Sequence, residues 1–431
     1  MVPKTKNHYI KTIAPQDWAV GKTSKCAMIA SFVGSKYQGL QIQGEGGRDL
    51  DYDTVESHLW KAFYYSGLAS RGRSTREDLV ATELPKHDFI GCQYSRCSRT
   101  DKGVSAARFC FGISFKMPEF DMVEELNKHL PDNIRIHGYR RVSRSFNARK
   151  FAGSRTYQYL LPKYALKPST KNSAKYEEFL KKAEEEGRTE WLADPQAFVR
   201  TQEMVDSWTT PSEEEKTRFL ETLRQFVGVH PFHNYTRDWP YAKSQASRVI
   251  KSWDILDEVE IEGTPFYLLQ VHGNSFIMHH IRKMIGTAVC IQKGIIPPQI
   301  IEASWERIKL NTPTAPGLHL FLNDIDYDAF NSRFKDGREI LDFSEFEPSI
   351  EAFKHDHILV DIAQQENAEK AFAKCIAEDG EGAVGDVYFE KTFEGIKIKE
   401  ENKRLMVENR VKLVINAQEL IEGQEDDVCS E

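Results

Sequence analysis

The sequence lacks most features of a membrane, secreted or disulfide-stabilised protein. No run approaches the roughly 20 consecutive apolar residues that a membrane-spanning helix needs. The N-terminal segment MVPKTKNHYIKTIAPQDW has no apolar stretch of the secretory type, and its lysines fit a solvated arm as well as a weak targeting signal. The seven cysteines are odd in number and include no C-x-x-C pair, so neither a zinc site nor a disulfide framework is indicated. These absences favour an intracellular, reducing compartment.

Motifs for nucleotide cofactors and metals are also missing. The glycines form neither a GxGxxG fingerprint nor a P-loop. His279 and His280 occupy adjacent positions of a predicted helix and point about 100° apart, with no third ligand at zinc spacing. His230 and His233 could likewise suggest a metal site, and we again expect none. We therefore expect no metal and no cofactor.

The net charge of −7 hides an uneven distribution. Residues 336–431 contain 11 Lys/Arg and 25 Asp/Glu, a net charge of −14. The remaining 47 Lys/Arg and 40 Asp/Glu give residues 1–335 a net charge of +7. A basic body permits contact with a polyanion, because neutralised phosphates supply much of the affinity. The excess is modest and makes only a weak argument on its own.

Hydrophobic periodicity predicts a mixture of strands and helices. Length alone suggests two or three domains, since 431 residues exceed one typical core. Strands are expected at 26–33, 108–115, 134–142, 155–161, 247–256 and 265–273. Helices are expected at 54–66, from the Ser212 capping box to Phe226, at 276–292, and in the acidic tail at 362–376 and 401–420. This mixture predicts an α+β body of two related sheet-and-helix units, followed by a mainly helical or irregular acidic extension.

We divide the chain into five segments on composition and pattern. They are an N-terminal arm (1–25), a first subdomain (26–165), a helical connecting region (166–225), a second subdomain (226–335) and the acidic C-terminal extension (336–431).

The segment 95-SRCSRTDKGVSAARFCFGISF-115 places one acid, Asp101, between two cations on a Gly-containing bend. The run that follows alternates apolar and polar residues, which is typical of a half-buried strand. Thr-Asp-Lys-Gly alone is compatible with a type I turn in which Asp101 accepts local hydrogen bonds. The alternative is a carboxylate held for chemistry.

Arg282 and Tyr157 have similarly open interpretations. Arg282 falls within an apolar stripe of its predicted helix, formed by Met278, Ile281, Ile285 and Val289. Such an arginine either extends to water along its apolar stem or is buried and needs a carboxylate or phosphate partner. Tyr157 shares a strand face with Tyr159, a spacing that suits core packing as well as a functional pair.

The complete strings resemble a known family. RTDKGVS resembles the active-site motif of the TruA-type tRNA pseudouridine synthases, and SRCSRTDKGVSA is similar to that of their eukaryotic multisite branch. Five further segments agree in the family's order: 34-GSKYQGLQIQ-43, 145-SFNARKFAGSRTYQYLLP-162, 228-GVHPFHNYTR-237, 273-GNSFIMHHIRKMIGTAV-289 and 312-TPTAPGLHLFL-322. The last of these segments resembles the family's closing strand, which begins at an Ala-Pro and continues through Gly-Leu. The resemblance covers roughly residues 26–330. Leu40 stands where this branch often has methionine, and the acidic extension has no counterpart in the family core.

The resemblance implies a fold and three catalytic residues. The two units would be ferredoxin-like or RRM-like and form a central antiparallel sheet with a cleft between them. Asp101 would be the essential nucleophile or base, and Arg282 would hold it in a salt bridge that keeps the carboxylate ionised. Tyr157 would stack on the target uracil and take the proton from C5. The sequence leaves open whether Asp101 attacks C1′ covalently or abstracts the 2′ proton to give a glycal.

The resemblance also implies an RNA-binding surface without a metal or a cofactor. Residues expected to contact RNA are Lys36, Tyr37, Arg99, Lys102, Arg149, Arg155, His233 and His279. Further candidates for phosphate contact are loop 70–78 and Arg140, Arg141, Arg144, Lys150, Lys163 and Lys167. The expected partner is tRNA, with other small RNAs or mRNA as further substrates, acted on by a monomer. The expected compartment is the nucleus, with the mitochondrion and the cytoplasm as alternatives.

Two rival functions stay open from the sequence. A non-catalytic RNA-binding or RNA-folding protein could use the same scaffold, although it would have no need of a lone carboxylate in a phosphate-facing cleft. An N-glycoside hydrolase could also use Asp101, and it would release free base.

Overall fold

A computed structural model of the chain describes residues 23–42, 53–68, 92–168, 181, 185, 207–237, 246–296, 298–310, 312–334, 340–375, 398–399 and 401–408. Loop 70–78, most of the arm 1–25, most of the connecting region 166–225 and residues 409–420 of the last predicted helix lie outside these ranges. The chain divides into two compact units. Unit 1 comprises Met1–Leu160, Leu256–Asn274 and Gly317–Glu369, and unit 2 comprises Leu161–Ile255, Ser275–Pro316 and Lys370–Glu431. Each unit is therefore discontinuous in sequence, and the five-segment division stays a prediction.

The described residues contain strands and helices in alternation. The strands are β1 (Thr23–Phe32), β2 (Ser95–Arg96), β3 (Ser105–Lys116), β4 (Ile134–Val142), β5 (Ser154–Pro162), β6 (Gly228–Pro231), β7 (Ser247–Ile261), β8 (Thr264–Gly273) and β9 (Leu320–Asp326). The α-helices are α1 (Val55–Tyr65), α2 (Met122–Lys128), α3 (Ala148–Phe151), α4 (Glu213–Arg224), α5 (His280–Gln292), α6 (Ile300–Ala303), α7 (Asp328–Asn331), α8 (Glu347–Phe353), α9 (Val360–Glu369) and α10 (Ala371–Cys375). Residues 398–399 and 401–408 are also helical.

The sheet of unit 1 confirms the α+β prediction. Its strands follow the order β4-β1-β3-β9-β5-β8 and continue to β7, with β2 paired on β3. The β1/β3, β1/β4 and β5/β9 pairs are antiparallel, whereas β3 and β9 run parallel. The sheet is thus mostly antiparallel, as expected. None of the described helices is long and apolar enough to cross a membrane.

Strand β3 is buried more completely than its alternating pattern predicts. Phe109, Phe111 and Phe115 pack on one face, where the Phe63 ring of α1 lies 6.3 Å from Phe111 and 5.8 Å from Phe115. The other face is also covered, because Cys110, which alternates with these phenylalanines along the strand, is fully buried. The expectation of a half-buried strand was therefore wrong, because small and polar residues face protein rather than water.

One covering element comes from the acidic extension. Residues 347–369 form one helical rod, the C-terminal helix, in which α8 and α9 are joined by a π-helical segment, Lys354–Leu359. The sequence predicted a helix at 362–376, so the predicted start of this helix was too late. The prediction also missed the break at Lys370, which has a φ of 50°. The helix buries Ile350, Phe353, Ile358, Leu359 and Ile362 within unit 1. This part of the extension belongs to the hydrophobic core.

Unit 2 has a separate aromatic core. Phe226 and Trp305 pack around Tyr235, at ring-centroid distances of 5.1 Å and 5.5 Å from it. Helix α4 begins at the predicted capping box, in which the Ser212 side chain accepts from the Glu215 amide and the Glu215 carboxylate accepts from the Ser212 amide. Strand β6, which the sequence did not predict, pairs antiparallel with the start of β7.

Two predicted boundaries in this region were wrong. Helix α5 begins at His280 rather than at 276, because His279 adopts a left-handed conformation with φ 62°. Met278 is consequently outside the helix and 56 % exposed, so it does not belong to the apolar stripe. The closing strand expected from residue 315 begins only at Leu320, because the Ala315 amide instead donates to the Arg282 carbonyl of α5.

Candidate active site

Asp101 opens a tight turn directly before β3. The Val104 amide donates to the Asp101 carbonyl at 3.1 Å, and Gly103 occupies the third position of the turn with φ 82°. A positive φ at this position is required by a type II turn and favours glycine. The turn is therefore Asp-Lys-Gly-Val, one residue later than Thr-Asp-Lys-Gly. We call residues 99–105 the Asp101 loop.

Residues 34–39, which we call the first-motif turn, pack against the Asp101 loop. The Gly34 amide donates to Ser105 Oγ at 2.8 Å, and a Cβ at Gly34 would overlap the Val104 carbonyl. Gly39 has φ 118°, and a Cβ there would lie 3.5 Å from the Thr100 carbonyl oxygen. Gly34 thus permits close approach of two backbones, whereas Gly39 is favoured by its positive φ. Two sequence motifs that are about 65 residues apart form one structure.

Tyr157 of β5 lies beside this loop in unit 1. Its hydroxyl is hydrogen-bonded to Ser98 Oγ at 2.9 Å, and the side chain is buried. Burial raises the pKa of the Tyr157 phenol to about 12; Ser98 opposes this shift and the Asp101 carboxylate adds to it. The phenol is therefore neutral at pH 7. A buried aromatic ring with a polar tip, near a carboxylate, suits a base-binding position.

Arg155 ties the neighbouring segments together through main-chain carbonyls. Its Nη1 donates to Ala152 and Asn274, at 3.3 Å and 2.9 Å, and its Nη2 donates to Cys97 and Arg149, at 3.0 Å and 3.3 Å. The guanidinium thus fixes the strand before the Asp101 loop relative to β5 and α3. Contact of Arg155 with RNA stays a prediction.

A buried carboxylate missed by the sequence analysis supports the same region. Glu56 of α1 accepts hydrogen bonds from Arg96 Nε at 2.7 Å, Tyr94 Oη at 2.9 Å and the Ile42 amide at 3.2 Å. Burial raises the pKa of Glu56, and the Arg96 charge and the Tyr94 hydrogen bond oppose that shift. Nothing in the local helical pattern distinguishes this glutamate from a solvent-exposed one.

The cations expected to contact RNA differ in their surroundings. Arg99, Lys102 and Arg149 are exposed in unit 1. Lys36 is also exposed, but its Nζ lies 3.6 Å from Asp361 of the C-terminal helix. Tyr37 is buried and donates from its hydroxyl to Asn133 Oδ1 at 2.6 Å. Their contacts with RNA stay predictions.

In unit 2, Arg282 is held by the segment that follows α6. Its Nε donates to the Ala315 carbonyl at 2.7 Å, while the Ala315 amide donates to the Arg282 carbonyl at 3.0 Å. A Cβ at Gly286, one turn further along α5, would lie 2.6 Å from the Pro313 carbonyl oxygen. The sequence motifs at 273–289 and 312–322 therefore meet at α5. Asp101 belongs to unit 1 and Arg282 to unit 2, and their ion pair stays a prediction.

His233 lies in the interior of unit 2. It is 7 % exposed, and its ring nitrogens approach the Pro231 and Ile308 carbonyls at 2.9 Å and 3.0 Å. The adjacent Asn234 accepts from the Leu310 amide at 2.7 Å, and its carbonyl accepts from Thr312 Oγ1 at 2.6 Å. The H-x-F-x-x-Y segment thus orders the 308–312 chain in this unit.

Among the described residues, no group of His, Cys, Asp and Glu side chains is arranged to hold a metal ion. His279 is half-buried, whereas His280 is buried with its ring centroid 4.2 Å from that of Phe232. Cys26, Cys92, Cys97, Cys110 and Cys290 are buried.

The structure brings some of the predicted site residues together. The first-motif turn packs on the Asp101 loop, and Tyr157 is hydrogen-bonded to Ser98, three residues before Asp101, within electrostatic range of the Asp101 carboxylate. The sequence analysis missed Ser98, Glu56 and Asp361, whose significance depends on tertiary contacts. Ser98 alone carried a signal, because it stands within the SRCSRTDKG string.

Comparison with known proteins identifies the family. A family model described as tRNA pseudouridine synthase matches residues 223–328. The chain is 30 % identical over 352 residues to the human pseudouridylate synthase 1 homolog, covering 81 % of this chain and 71 % of the human protein. It is 29 % identical over 405 residues to tRNA pseudouridine synthase 1 of Kluyveromyces lactis, covering 83 % and 70 % of the two chains. The Schizosaccharomyces pombe protein of that name is 27 % identical, with 83 % and 84 % covered.

The identity and the coverage of both chains indicate one family, and so do the motifs that meet within the folded units. The chain belongs to the TruA-type tRNA pseudouridine synthases.

Proposed function

We propose that the protein isomerises specific uridines of tRNA to pseudouridine. The reaction breaks the N1–C1′ bond, rotates the base and forms a C5–C1′ bond, with a net transfer of the C5 proton to N1. It involves no oxidation and consumes no energy, so it needs no cofactor. The observation that carries the proposal is the buried Tyr157 phenol, hydrogen-bonded to Ser98 and within electrostatic range of the Asp101 carboxylate, in a chain that belongs to this family.

In this proposal Asp101 acts on the ribose. It attacks C1′ or abstracts the 2′ proton, and both routes require an ionised carboxylate. Arg282 is assigned as its ion-pair partner, since a nearby opposite charge favours the ionised form. The support for Arg282 is the resemblance of its helix to the family segment.

Tyr157 is assigned to the uracil base. Its ring offers a face for stacking and its hydroxyl offers a polar tip. Because the phenol is neutral at pH 7, it can accept the C5 proton only while passing its own proton to an acceptor. Ser98, at 2.9 Å, is within reach for this relay.

The exposed cations around the Asp101 loop are assigned to phosphates of the RNA. Arg99, Lys102 and Arg149 are exposed in unit 1, where charged side chains can position a folded RNA without reading its sequence. A target uridine inside folded RNA must be flipped out, at a cost of about a few kcal/mol.

We further propose that other structured RNAs and mRNA are substrates, that the protein acts as a monomer, and that it works in the nucleus. The support is the resemblance to the eukaryotic multisite branch. Mapping of pseudouridines in total RNA from cells that lack the protein tests the substrates. Sedimentation tests the oligomeric state, and fractionation separates the nucleus from the mitochondrion and the cytoplasm.

The decisive experiment measures tritium release from C5-labelled uridine in tRNA. Asp101→Asn should bind tRNA with unchanged affinity and release no tritium above background. Asp132→Asn, the same change at an exposed acid of unit 1, serves as the matched control and should retain wild-type turnover. Undiminished turnover by Asp101→Asn would overturn the assignment.

The same assay separates the rival functions. A non-catalytic RNA-binding protein would bind the tRNA without releasing tritium from the wild type. An N-glycoside hydrolase would release free uracil, which chromatography of the labelled products detects.

A further inference from the structure

Asp361 of the C-terminal helix contacts the first-motif turn across 326 residues of sequence. Its Oδ2 accepts a hydrogen bond from Ser35 Oγ at 2.7 Å, and its Oδ1 lies 3.6 Å from Lys36 Nζ. Gln365, one turn along the helix, donates from its amide to both carboxylate oxygens at 2.9 Å. The carboxylate is thus oriented by its own helix and directed at two consecutive residues of the turn.

The two residues that Asp361 contacts stand between the glycines that touch the Asp101 loop. Gly34 packs on Val104 and Ser105, and Gly39 packs on the Thr100 carbonyl. A displacement of Ser35 and Lys36 therefore moves both points at which the turn supports the loop. Only the main chain of the first-motif turn lies between the Asp361 contact and the Asp101 loop.

The helix that carries Asp361 is firmly anchored in unit 1. Ile358 and Ile362, on either side of Asp361 in sequence, are fully buried. Near its end, Glu366 accepts from His319 at 2.9 Å, with both side chains fully buried. At its start, Ile350 is fully buried. The helix is held at both ends and can act as a fixed support.

Ordinary stabilisation is a poor explanation of the Asp361 contact. The Lys36 side chain is 57 % exposed, and exposed ion pairs contribute little to stability. The hydrogen bond from Ser35 is different, because it is directional and charge-assisted. It fixes the position of Ser35, and so of the turn, relative to the C-terminal helix.

We propose that Asp361 is a positioning residue of the active site, which holds the first-motif turn, and through it the Asp101 loop, in the catalytic arrangement. The effect on turnover rests on the proposed function, whereas the effect on loop order does not. The C-terminal helix is accordingly a working part of the catalytic unit. The competing idea is that Asp361 shields Lys36 from RNA phosphates, in which case its removal would tighten RNA binding.

The test compares Asp361→Ala, Asp361→Asn, Ser35→Ala and the double variant Ser35→Ala/Asp361→Ala. Glu347→Ala is the matched control, since it removes an acid of the same helix whose partner is Arg108. Each variant is assayed for its single-turnover rate, its tRNA dissociation constant and its melting temperature. Hydrogen exchange is followed at the Tyr37 and Val104 amides, which donate within the turn and within the loop.

The Asp361→Ala rate should fall about 10-fold with the dissociation constant unchanged, because small misplacements of catalytic groups cost rate. Asp361→Asn should recover part of the loss, since its amide oxygen can still accept from Ser35. The double variant should be no slower than the slower single variant, as expected for coupled residues. Exchange at Tyr37 and Val104 should quicken in Asp361→Ala and remain unchanged in Glu347→Ala.

Three results would overturn the proposal. They are an unchanged Asp361→Ala rate, tighter tRNA binding at an unchanged rate, or an equal loss of rate in Glu347→Ala. If the wild type forms no pseudouridine, the proposed function fails instead. The exchange data then decide the positioning role alone, and equal exchange in Asp361→Ala and wild type rejects it.

Discussion

At the scale of single residues, the candidate site depends on glycine, which has no side chain to hold two backbones apart. Gly34 allows the first-motif turn to approach the Asp101 loop at backbone distance. Any larger residue at Gly34 would have to displace the Val104 carbonyl or the turn itself. We therefore expect Gly34 to affect catalysis through the position of the Asp101 loop.

Substitution of Gly34 by Ala should lower the single-turnover rate by about 10- to 100-fold, because it shifts the backbone next to Asp101. Overpacking should also cost about 1–3 kcal/mol in the free energy of unfolding. The measurements are single-turnover tritium release and denaturant unfolding.

Gly263 provides the matched control. It lies in the β7–β8 turn with φ 73°, and a Cβ there would meet nothing within 4 Å. Gly263→Ala should cost about 1–2 kcal/mol from backbone strain and leave the rate unchanged. A wild-type rate for Gly34→Ala would contradict the argument.

At the scale of elements, the first turn of α5 combines strain with burial. His279 takes a left-handed conformation immediately before the helix, and His280 is buried in the first turn. Neither ring nitrogen of His280 has a hydrogen-bond partner among the described residues. Burial, with a smaller contribution from the Arg248 charge, lowers the pKa of His280 to about 3. A positive charge would also be disfavoured at a helix N-terminus.

Acid should therefore destabilise the protein through His280. Its pKa is depressed in the folded state, so its contribution to the free energy of unfolding is complete above pH 6.5 and falls as the pH drops toward about 3. His280→Leu should remove this slope, and so keep about 3 kcal/mol of stability that the wild type loses through His280 between pH 7 and pH 4. Urea unfolding at several pH values between 3 and 7 measures how the free energy of unfolding of each protein depends on pH.

The exposed His355 provides the comparison for this experiment. His355→Leu should retain the wild-type pH dependence. An unchanged pH slope in His280→Leu would show that the ring is protonated or solvated in the folded protein.

At the scale of the whole molecule, the acidic extension is not uniform. Its C-terminal helix supplies buried apolar residues and the Glu366–His319 pair to unit 1. The helical residues 398–399 and 401–408 instead contact other parts of unit 2 through polar side chains, with Lys399 paired to Glu302 and Asn402 donating to Glu306 at 3.0 Å. The first part belongs to a core, and the second is attached at the surface of its unit.

Two truncations should therefore differ sharply. A chain that ends after Phe334 loses five buried apolar side chains of the C-terminal helix, worth about 7–15 kcal/mol in total, which is comparable to the whole stability of a domain. It should be insoluble or lack cooperative melting. A chain that ends after Cys375 retains the helix and should fold, bind tRNA and turn over. Circular dichroism melting measures the folding of each truncated chain, and tritium release measures its turnover. Equal behaviour of the two chains would refute the distinction.

Local sequence patterns predicted most elements because their signals are local. The alternation within β3, the capping box of α4 and the apolar stripe of α5 each mark the presence of one element. The errors have physical reasons. Left-handed His279 shortened α5, and the C-terminal helix extends 15 residues before its predicted start because its apolar face is matched to unit 1.

The sequence by itself determined the family, the α+β class and the identity of Asp101 and Tyr157 as candidates, since these depend on residue types at fixed spacing. Only the tertiary structure placed the first-motif glycines against the Asp101 loop, Ser98 on the Tyr157 hydroxyl, Glu56 beneath Arg96 and Asp361 on Ser35. Each of these contacts joins distant parts of the chain or depends on which way a side chain is buried. No local pattern encodes the partner of a polar group, because that partner is decided by how the elements pack.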